Sequence, residues 1–346
     1  MERNSLLKTL SENWFKILMI VLIPVTLYSI LLYSGVTGLE LINPDKNDTG
    51  QTPQDNQLSQ MSVSIPDEAP LQFMLWGMRK NGISQLDDST SFETGVNDRE
   101  VLFRFMGDED DLVWLPPNLV DTAAISEGFA ILPYKMIGSE NIPAVYMRED
   151  SEVNNLSELK GGEIIVIGSS SVIITRTALN HKYGINSSNT DISVRGRFTA
   201  IEMLRKGEVD AVQLVYPPSN MEGIKPVFYP SRYLAEEDNL SRPPIGLFII
   251  KDESKAERAS KIVEIMDEAN QRGVSNMEKV IEKVNEERSR NLSEMLREIA
   301  STNEGDLIVP LTEKDERTLQ KMFDLSYQDE FPKTKINVSE SVVENN

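Results

Sequence analysis

The residues best suited to bind a ligand are three consecutive serines that follow a short apolar stretch. The segment EIIVIGSSS ends in Ser169, Ser170 and Ser171, after a strand-like run and one glycine. A helix is predicted from these serines to Tyr183, so hydroxyls and free backbone amides converge where it begins. Such a start suits a carboxylate, sulfonate or phosphate group. The serines could instead only cap the helix, but their place after a strand favours ligand binding.

Aromatic and basic side chains near predicted strand ends are further candidates for a binding site. Trp76, Trp114 and Tyr216 lie at or near such ends, where they could enclose an apolar part of a ligand or belong to the core. Arg197 could neutralise an anion through paired donors, although a surface arginine is the more common case. These residues complete the predicted ligand-binding set.

Little in the sequence suits catalysis. The chain has no cysteine and one histidine, His181, which excludes thiolate chemistry, disulfides, histidine triads and histidine-cluster metal sites. The acidic run Asp108-Glu109-Asp110-Asp111 lacks the spacing of a calcium loop and is typical of a solvated turn. We therefore expect a protein that is not an enzyme, with no catalytic residues, no metal site and no cofactor.

Length and charge narrow the class of protein further. The 346 residues are enough for two domains or one two-lobed domain. The formal net charge of −20 argues against nucleic acid as a partner, because phosphate binding needs a basic surface.

Strand-like and helical segments alternate along most of the chain. Apolar runs of strand length occur at Leu71–Trp76, Leu112–Leu115, Ala144–Met147, Glu163–Ile167, Ala211–Tyr216 and Gly246–Ile250. Helical patterns lie between them, and long amphipathic helices follow the last run. This alternation predicts an α/β fold with a mainly parallel sheet covered by helices.

One αβ unit occurs twice. Residues 97–117 read NDREVLFRFMGDEDDLVWLPP and residues 199–218 read TAIEMLRKGEVDAVQLVYPP. Each contains a helix, Gly-x-x-Asp, an apolar strand and Pro-Pro, which makes Asp110 and Asp210 equivalent. Chance similarity is the alternative, but the shared aspartate and prolines favour two related lobes. The prolines end each strand at its carboxyl end, where open α/β sheets bind ligands.

Residues 113–218 resemble the type 2 periplasmic-binding-protein fold. The similarity is greatest to the group that binds nitrate, sulfonates, taurine or thiamine precursors for ABC transporters. It rests on the Leu-x-x-Leu-Lys-Gly turn at residues 156–161, on Ser169 and Ser170 at the positions of ligand-facing serines, and on Gly-x-x-Asp at residues 207–210.

This resemblance implies two lobes that enclose a ligand and close about a hinge, with crossing strands near Tyr146 and Leu247. The C-terminal helices would return to the first lobe. Residues 80–96 depart from the family pattern, because they are polar and irregular where a helix and a second strand are expected. The first lobe is therefore predicted to be reduced or divergent.

The N-terminus carries a predicted membrane anchor. Residues 17–34 contain no charge and are long enough to cross a bilayer, whereas a cleaved signal peptide would be shorter. Arg3, Lys8 and Lys16 precede this span, so the positive-inside rule places the N-terminus in the cytoplasm. Sequons such as that at Asn47 are compatible with glycosylation outside the cell.

The predicted organisation is a two-lobed α/β domain behind one transmembrane helix. Its segments are a cytoplasmic N-terminus (1–16), the anchor (17–34), a flexible stalk (35–70), lobe 1 (71–147), lobe 2 (148–245), a return to lobe 1 with C-terminal helices (246–330) and a disordered tail (331–346).

Two functional hypotheses follow. The leading one is a membrane-anchored extracellular protein that captures a small anionic organic solute and presents it to an ABC permease and its ATPase. The alternative is a structural or interaction subunit of a membrane complex that retains the fold. An enzyme has the least support, since the enzymes of this family depend on histidine and cysteine motifs.

Overall fold

Two β-sheets, each with helices on its faces, make up the part of the chain that the structure describes. The computed structural model describes residues 60–343, except for 96, 127–128, 142, 154, 168, 187, 195–196, 216–219, 288–291, 303–306 and 329–334. All of these residues belong to one structural unit, Gln57–Asn346.

The first lobe begins with alternating strands and helices. Its elements are β1 (Met61–Ile65), α1 (Gln72–Gly77), β2 (Thr90–Thr94), α2 (Asp98–Met106), β3 (Leu112–Leu115), α3 (Pro117–Ala123) and β4 (Ala130–Ile137). A 3₁₀ turn at Ala69–Leu71 precedes α1, and a π turn at Met78–Gly82 continues it.

The second lobe repeats this alternation. Its elements are β5 (Ala144–Arg148), β6 (Glu163–Val166), α4 (Ser169–Tyr183), β7 (Asp191–Val194), α5 (Arg197–Lys206), β8 (Ala211–Leu214), β9 (Ile224–Phe228) and α6 (Pro230–Glu236). The chain then returns to the first lobe through β10 (Pro244–Ile250), α7 (Ala256–Ser275), α8 (Met277–Glu287), α9 (Ser293–Thr302), β11 (Ile308–Pro310), α10 (Glu313–Gln328) and α11 (Val338–Ser341).

The two sheets have the same central strand order. The first sheet runs β11-β4-β10-β3-β1-β2 and the second runs β9-β5-β8-β6-β7. In each sheet the central strand pairs with two parallel neighbours, β1 with β2 and β3, and β6 with β7 and β8. An antiparallel strand follows, β10 beside β3 and β5 beside β8. The lobes are therefore related copies of one topology.

Strand register makes the equivalence residue-specific. Asp111 Oδ2 accepts a hydrogen bond of 2.8 Å from Ser62 N at the start of β1. Asp210 Oδ2 accepts one of 2.9 Å from Glu163 N at the start of β6. Asp111 is thus the counterpart of Asp210, and the predicted match of Asp110 is wrong by one residue.

Asp110 has a different role from the one that the repeated sequence implies. Its buried carboxylate accepts a hydrogen bond of 2.9 Å from Arg104 Nε, at the end of α2. The extra acidic residue shifts the alignment because the turn after α2 is one residue longer than the turn after α5.

Two glycines bring α1 and α7 into backbone contact on one face of the first sheet. A Cβ atom at Gly77 would lie 1.9 Å from Ala269 O, and one at Gly273 would lie 2.1 Å from Phe73 O. This close pair covers β1, β3 and β10 together with α8 and α9. The C-terminal helices therefore complete the core of the first lobe.

The other face of the first lobe shares one apolar cluster with the second lobe. The cluster contains Val120 of α3, Leu179 of α4 and Phe323 of α10, together with residues of β6 and β10. The lobes are thus joined by packed side chains as well as by crossing strands.

Several predicted boundaries are wrong. The run Leu71–Trp76 forms helix instead of strand, since a short apolar run fits a buried helix equally well. The stalk predicted to extend to residue 70 includes β1, in which Met61, Val63 and Ile65 are buried. Polar composition on both sides of this short strand concealed it.

The first lobe is also more complete than residues 80–96 indicate. This polar segment contains β2, a half-exposed strand that pairs in parallel with β1 at the edge of the sheet. An edge strand needs few apolar residues, and Phe92 alone contacts the core of this lobe from β2. The predicted reduction of this lobe is therefore wrong.

The lobe boundaries and the tail also differ from expectation. Positions 147 and 245 fall inside β5 and β10, which belong to the second and first sheets. In the tail, which was predicted to be disordered, Ile336 and Val338 are buried and Val343 N donates to Ile131 O at 2.9 Å. This packing fixes residues 335–343 on the first lobe.

Among the described residues, no helix combines the length and apolar character that a bilayer span requires. The predicted anchor at residues 17–34 lies outside them.

Candidate functional site

The predicted serine turn opens α4 directly after β6. Ser171 is buried, and its hydroxyl donates to Ile167 O at 2.7 Å. Ser169 and Ser170 occupy the first two helical positions, and their side chains lie outside the described ones. The first amides of a helix have no acceptor within it, so this turn directs backbone donors beyond the carboxyl end of β6.

The side chain of Gln213 on β8 contacts this turn. Its Oε1 accepts from Ile167 N at 3.2 Å and lies 3.3 Å from Ser171 Oγ. The residue is 0% exposed, and Nε2 has no hydrogen-bond partner within the described part of the chain. Since Ile167 N can only donate, the side-chain amide orientation is fixed and Nε2 is the donor without an acceptor.

The sequence prediction missed Gln213, although a signal was present. It is the polar residue within the apolar run AVQLVY, which forms a strand in the middle of the second sheet. A buried polar side chain normally has a hydrogen-bonding or functional reason to be there.

Trp114 lies at the equivalent position of the first lobe. Val63 pairs with Leu112 in the way that Ile164 pairs with Ala211, so two residues further along Trp114 corresponds to Gln213. The Trp114 side chain belongs to the cluster under α1, as Gln213 lies under α4. Both therefore lie beneath the helix that follows the central strand.

The indole of Trp114 packs against Gly246 of β10. A Cβ atom at position 246 would lie 2.0 Å from both Cε2 and Cζ2 of this ring. Trp114 is 3% exposed, and its Nε1 has no hydrogen-bond partner among residues that the structure describes. Trp114 Nε1 is thus a second buried donor without an acceptor among the described residues, and it lies at the strand position that corresponds to Gln213.

The first-lobe counterpart of the serine turn is acidic. Asp67 and Glu68 follow β1, and Gln72 Nε2 donates to Asp67 Oδ1 at 2.7 Å and to Glu68 O at 3.0 Å. Pro70 removes one amide donor from the following turn. Two acidic residues therefore directly precede this turn, although neither side chain caps it.

The remaining predicted site residues are not brought to these positions by the described structure. Trp76 lies in α1, where Lys80 Nζ is 5.8 Å from its ring centroid, and not at a strand end. Arg197 begins α5, but its side chain lies outside the described ones, and Tyr216 lies outside the described residues.

Solved structures give the comparison that decides the fold. No family model and no curated protein sequence matches the chain. The periplasmic aliphatic sulphonate-binding protein SsuA of Escherichia coli superposes with a TM-score of 0.65 at 12% identity, over 82% of this chain and 97% of that chain. The chain has the type 2 periplasmic-binding-protein fold.

Two further structures share this fold. The alkanesulfonate-binding protein SsuA of Xanthomonas axonopodis pv. citri, bound to MOPS, has a TM-score of 0.60 at 13% identity, over 82% of this chain and 97% of its own. The ligand-binding component of an ABC-type import system of Staphylococcus aureus, with zinc bound, has a TM-score of 0.51 at 10% identity, over 82% and 96%. Among the described residues of this chain, no group of three or more acidic or histidine side chains could hold a metal ion.

A buried ion pair holds α10 beside the point where the chain returns from the second lobe. Lys135 of β4 and Ser241 both contact Asp315 Oδ1, while Thr312 N donates to Oδ2 at 2.7 Å. Burial opposes the ionisation of Asp315, but the hydrogen bonds and the charge of Lys135 outweigh it and hold its pKa below the ordinary value.

The two crossing segments of this fold are also tied to each other. Arg242 Nη1 donates to Gly138 O at 3.2 Å, and its other nitrogen pairs with Glu140. Arg242 precedes β10 and Gly138 follows β4, so the contact joins both connections between the lobes.

His181 belongs to a structural cluster at the far end of α4. Its Nδ1 is 2.7 Å from the hydroxyl of Tyr233, and Lys182 Nζ lies 4.6 Å from the Tyr233 ring centroid. Burial and a hydrogen bond with Glu237 raise the pKa of Tyr233 to about 12. The ring of His181 is therefore engaged away from the serine turn.

Proposed function

We propose that this chain is a membrane-anchored extracellular solute-binding protein that captures a small anionic organic solute for an ABC importer. A sulfonate, a carboxylate or nitrate represents the class of solute. The observation that carries the proposal is the turn from β6 into α4, which directs the serine-rich helix start beyond the carboxyl end of a central strand.

The two lobes contribute unequally to anion binding in this proposal. Asp67 and Glu68 at the first-lobe turn repel an anion, whereas the second-lobe turn has Ser169, Ser170 and Ser171 and no acidic residue in its first helical turn. The anionic group therefore binds at the second lobe, and the first lobe encloses the remainder of the solute.

Thermal unfolding of the full chain with a panel of sulfonates, carboxylates and nitrate tests this function. A ligand present at 100 times its Kd stabilises the native state by about 2.7 kcal/mol, which raises Tm by several degrees. A Ser169→Ala/Ser170→Ala variant should lose most of that shift, and Ser275→Ala, on an exposed part of α7, should keep it. A panel that leaves Tm unchanged at millimolar concentration contradicts the proposal.

The proposed partners are an ABC permease and its ATPase, with residues 17–34 as the membrane span. Copurification from solubilised membranes distinguishes this assembly from another membrane complex. A chain without residues 1–34 should leave the membrane fraction, and its continued presence there would contradict the anchor.

A structural or interaction subunit is the second candidate function. The apolar cluster that joins α3, α4 and α10 favours it, because packing shared by the two lobes resists the lobe movement that ligand capture uses. Copurification with a membrane assembly that lacks transporter subunits, together with no ligand-induced Tm shift, would favour this candidate.

A further inference from the structure

The chain carries six Asn-x-Ser/Thr sequons, and the structure describes four of their asparagines. We propose that Asn155, Asn186 and Asn337 are acceptors of N-linked glycans in the folded protein, and that Asn239 is not. This inference goes beyond solute binding, but it rests on the extracellular location that belongs to the proposed function, because N-linked glycans are attached outside the cytoplasm.

The three proposed acceptors each form a hydrogen bond with the serine of their own sequon. The asparagine Oδ1 accepts from that serine over 2.5–3.0 Å in the pairs Asn155–Ser157, Asn186–Ser188 and Asn337–Ser339. Asn155 and Asn337 are exposed and Asn186 is half-buried. Each turn uses Oδ1 and not Nδ2, the atom to which the sugar is attached. The sequons at Asn47 and Asn291 lie outside the described residues.

The chemistry of transfer is compatible with these turns. The donor is a saccharide linked through its anomeric carbon to the phosphate of a membrane lipid. Asparagine Nδ2 forms a bond to the anomeric carbon, while the bond from that carbon to the phosphate oxygen breaks and the lipid phosphate leaves with the electron pair. Nδ2 gives up one of its two protons to a base of the transferase. Oδ1 is unchanged, so the contact with the serine persists after modification.

Two of the sites lie at the end of the second sheet that is opposite the serine turn. Asn155 precedes the turn that leads into β6, and Asn186 precedes the loop that leads into β7. Gly161 N donates to Asn189 O at 2.6 Å, which joins these two connections at the amino ends of the parallel strands. A glycan is bulky and needs a solvated surface. Glycans at these positions therefore leave the carboxyl end of β6 accessible to a solute.

An open cavity of about 500 Å³ lies beside the Asn186 sequon. It is lined by Gly161 and by residues 188–192. The cavity begins at Ser188, whose backbone amide and hydroxyl both donate to Asn186 Oδ1. Hydroxyl, carboxamide and carboxylate groups in this lining are suitable hydrogen-bond partners for sugar hydroxyls. The first sugar of a glycan on Asn186 therefore packs against this surface.

Asn239 is exposed, but the serine of its sequon is engaged elsewhere. The hydroxyl of Ser241 donates to Asp315 Oδ1, which is buried, and Ser241 N donates to Thr318 Oγ1 at 2.8 Å. The hydroxyl residue is part of the motif that defines an acceptor. A transferase that meets the folded chain therefore finds Asn239 without an accessible Ser241.

Peptide mass spectrometry of the full chain, isolated from the membranes of its native cells, tests the proposal. Peptides that contain Asn155, Asn186 and Asn337 should carry a saccharide, and the peptide that contains Asn239 should have its unmodified mass. Ser188→Ala should lower the mass of the chain by one glycan beyond the mass of the substitution. Ser188→Thr keeps the sequon and should keep the glycan.

The possible outcomes separate this inference from the proposed function. An unmodified peptide at any of the three positions overturns the assignment of that residue. A glycan on Asn239 at the occupancy of the other sites overturns the structural distinction, because it indicates transfer to the unfolded chain. An unmodified chain whose Tm rises with a solute overturns this inference alone. A glycosylated chain whose Tm is unchanged by every solute contradicts the proposed function alone.

Discussion

The turns after β1 and β6 are built on one scaffold but have opposite chemistry. In the first lobe Asp67 and Glu68 precede a turn that contains Pro70, and Gln72 Nε2 donates to Asp67 Oδ1. In the second lobe three serines begin α4 without an acidic residue in its first turn. Two turns at the same place in one topology can thus keep the same strand register while the residues that form them differ in charge.

The lobes also differ in the helices that pack around their sheets. In addition to its own αβ units the first lobe has α7, α8, α9 and α10, while the second lobe has α6. Of these helices, α7 packs closely on α1 through Gly273, and α10 carries Asp315 with its ion pair and hydrogen bonds. The first lobe therefore has more helices packed around its sheet than the second.

The largest expected effect comes from breaking the buried ion pair between Lys135 and Asp315, which has no counterpart among the described contacts of the second lobe. Asp315→Asn leaves Lys135 as a buried charge without its counterion, since the two side chains are 1% and 9% exposed. Removal of one partner of a buried ion pair costs about 3–5 kcal/mol, so urea unfolding should shift strongly to lower concentration. Lys135→Met/Asp315→Asn should recover much of the loss, because the carboxamide introduced at position 315 can still accept from Thr312 N.

A double variant no more stable than Asp315→Asn would show that the Thr312 and Ser241 hydrogen bonds, and not the ion pair, hold α10. As a control, Glu257→Gln removes the exposed contact with Lys261 and should leave the unfolding midpoint unchanged.

The next largest effect on stability is expected at the two equivalent aspartates, Asp111 and Asp210. Asp111 binds Ser62 and Lys255, whereas Asp210 binds the single amide of Glu163. Asp111→Ala should therefore cost about 1.5–3 kcal/mol and Asp210→Ala about 1 kcal/mol in the free energy of unfolding. Equal losses would contradict the structural asymmetry of the lobes.

The pH dependence of Asp111 gives a second measurement on the same pair. Burial raises the pKa of this carboxyl, but hydrogen bonds from Lys255 and Ser62 and the charge of Lys255 lower it more, so its folded pKa lies below the unfolded value. Its contribution to stability is present above the unfolded pKa of about 3.9 and is lost as the pH falls through the folded pKa. Acid unfolding followed by circular dichroism should show a smaller pH-dependent loss in Asp111→Asn than in wild type.

Most of the second lobe could be predicted from the sequence, and less of the first. Runs such as Ala144–Met147 and Glu163–Ile167 are strands in nearly the predicted positions, because central strands are apolar on both faces. The edge strand β2 and the short β1 lack that signal. Leu71–Trp76 shows the limit of composition, since six mainly apolar residues specify burial but not the backbone conformation.

The candidate site was predictable in part for the same reason. Serines after an apolar strand mark a helix start from local sequence alone. The Gln213 contact with Ile167 joins β8 to the turn after β6, and its donor without an acceptor among the described residues is visible only when the strand register is known. The acidic first-lobe turn depended on β1, which the sequence did not reveal.

The smallest expected effect comes from two lysines near the C-terminal ends of α1 and α4, the helices that follow the two turns. Lys80 follows α1 and lies over one ring, Trp76, at 5.8 Å, whereas Lys182 on α4 lies 4.6–5.5 Å from the three ring centroids of Tyr183, Phe228 and Tyr233. A cation over an aromatic face at an exposed site contributes about 0.5–1 kcal/mol. Lys182→Met should therefore lower the free energy of unfolding by about that amount, and Lys80→Met by less. Urea unfolding of both variants measures the difference, and Lys182→Arg should retain stability because a guanidinium also binds aromatic faces. A loss in Lys182→Arg equal to that in Lys182→Met would mean that the three rings hold the chain at this end of α4 through their apolar contacts alone.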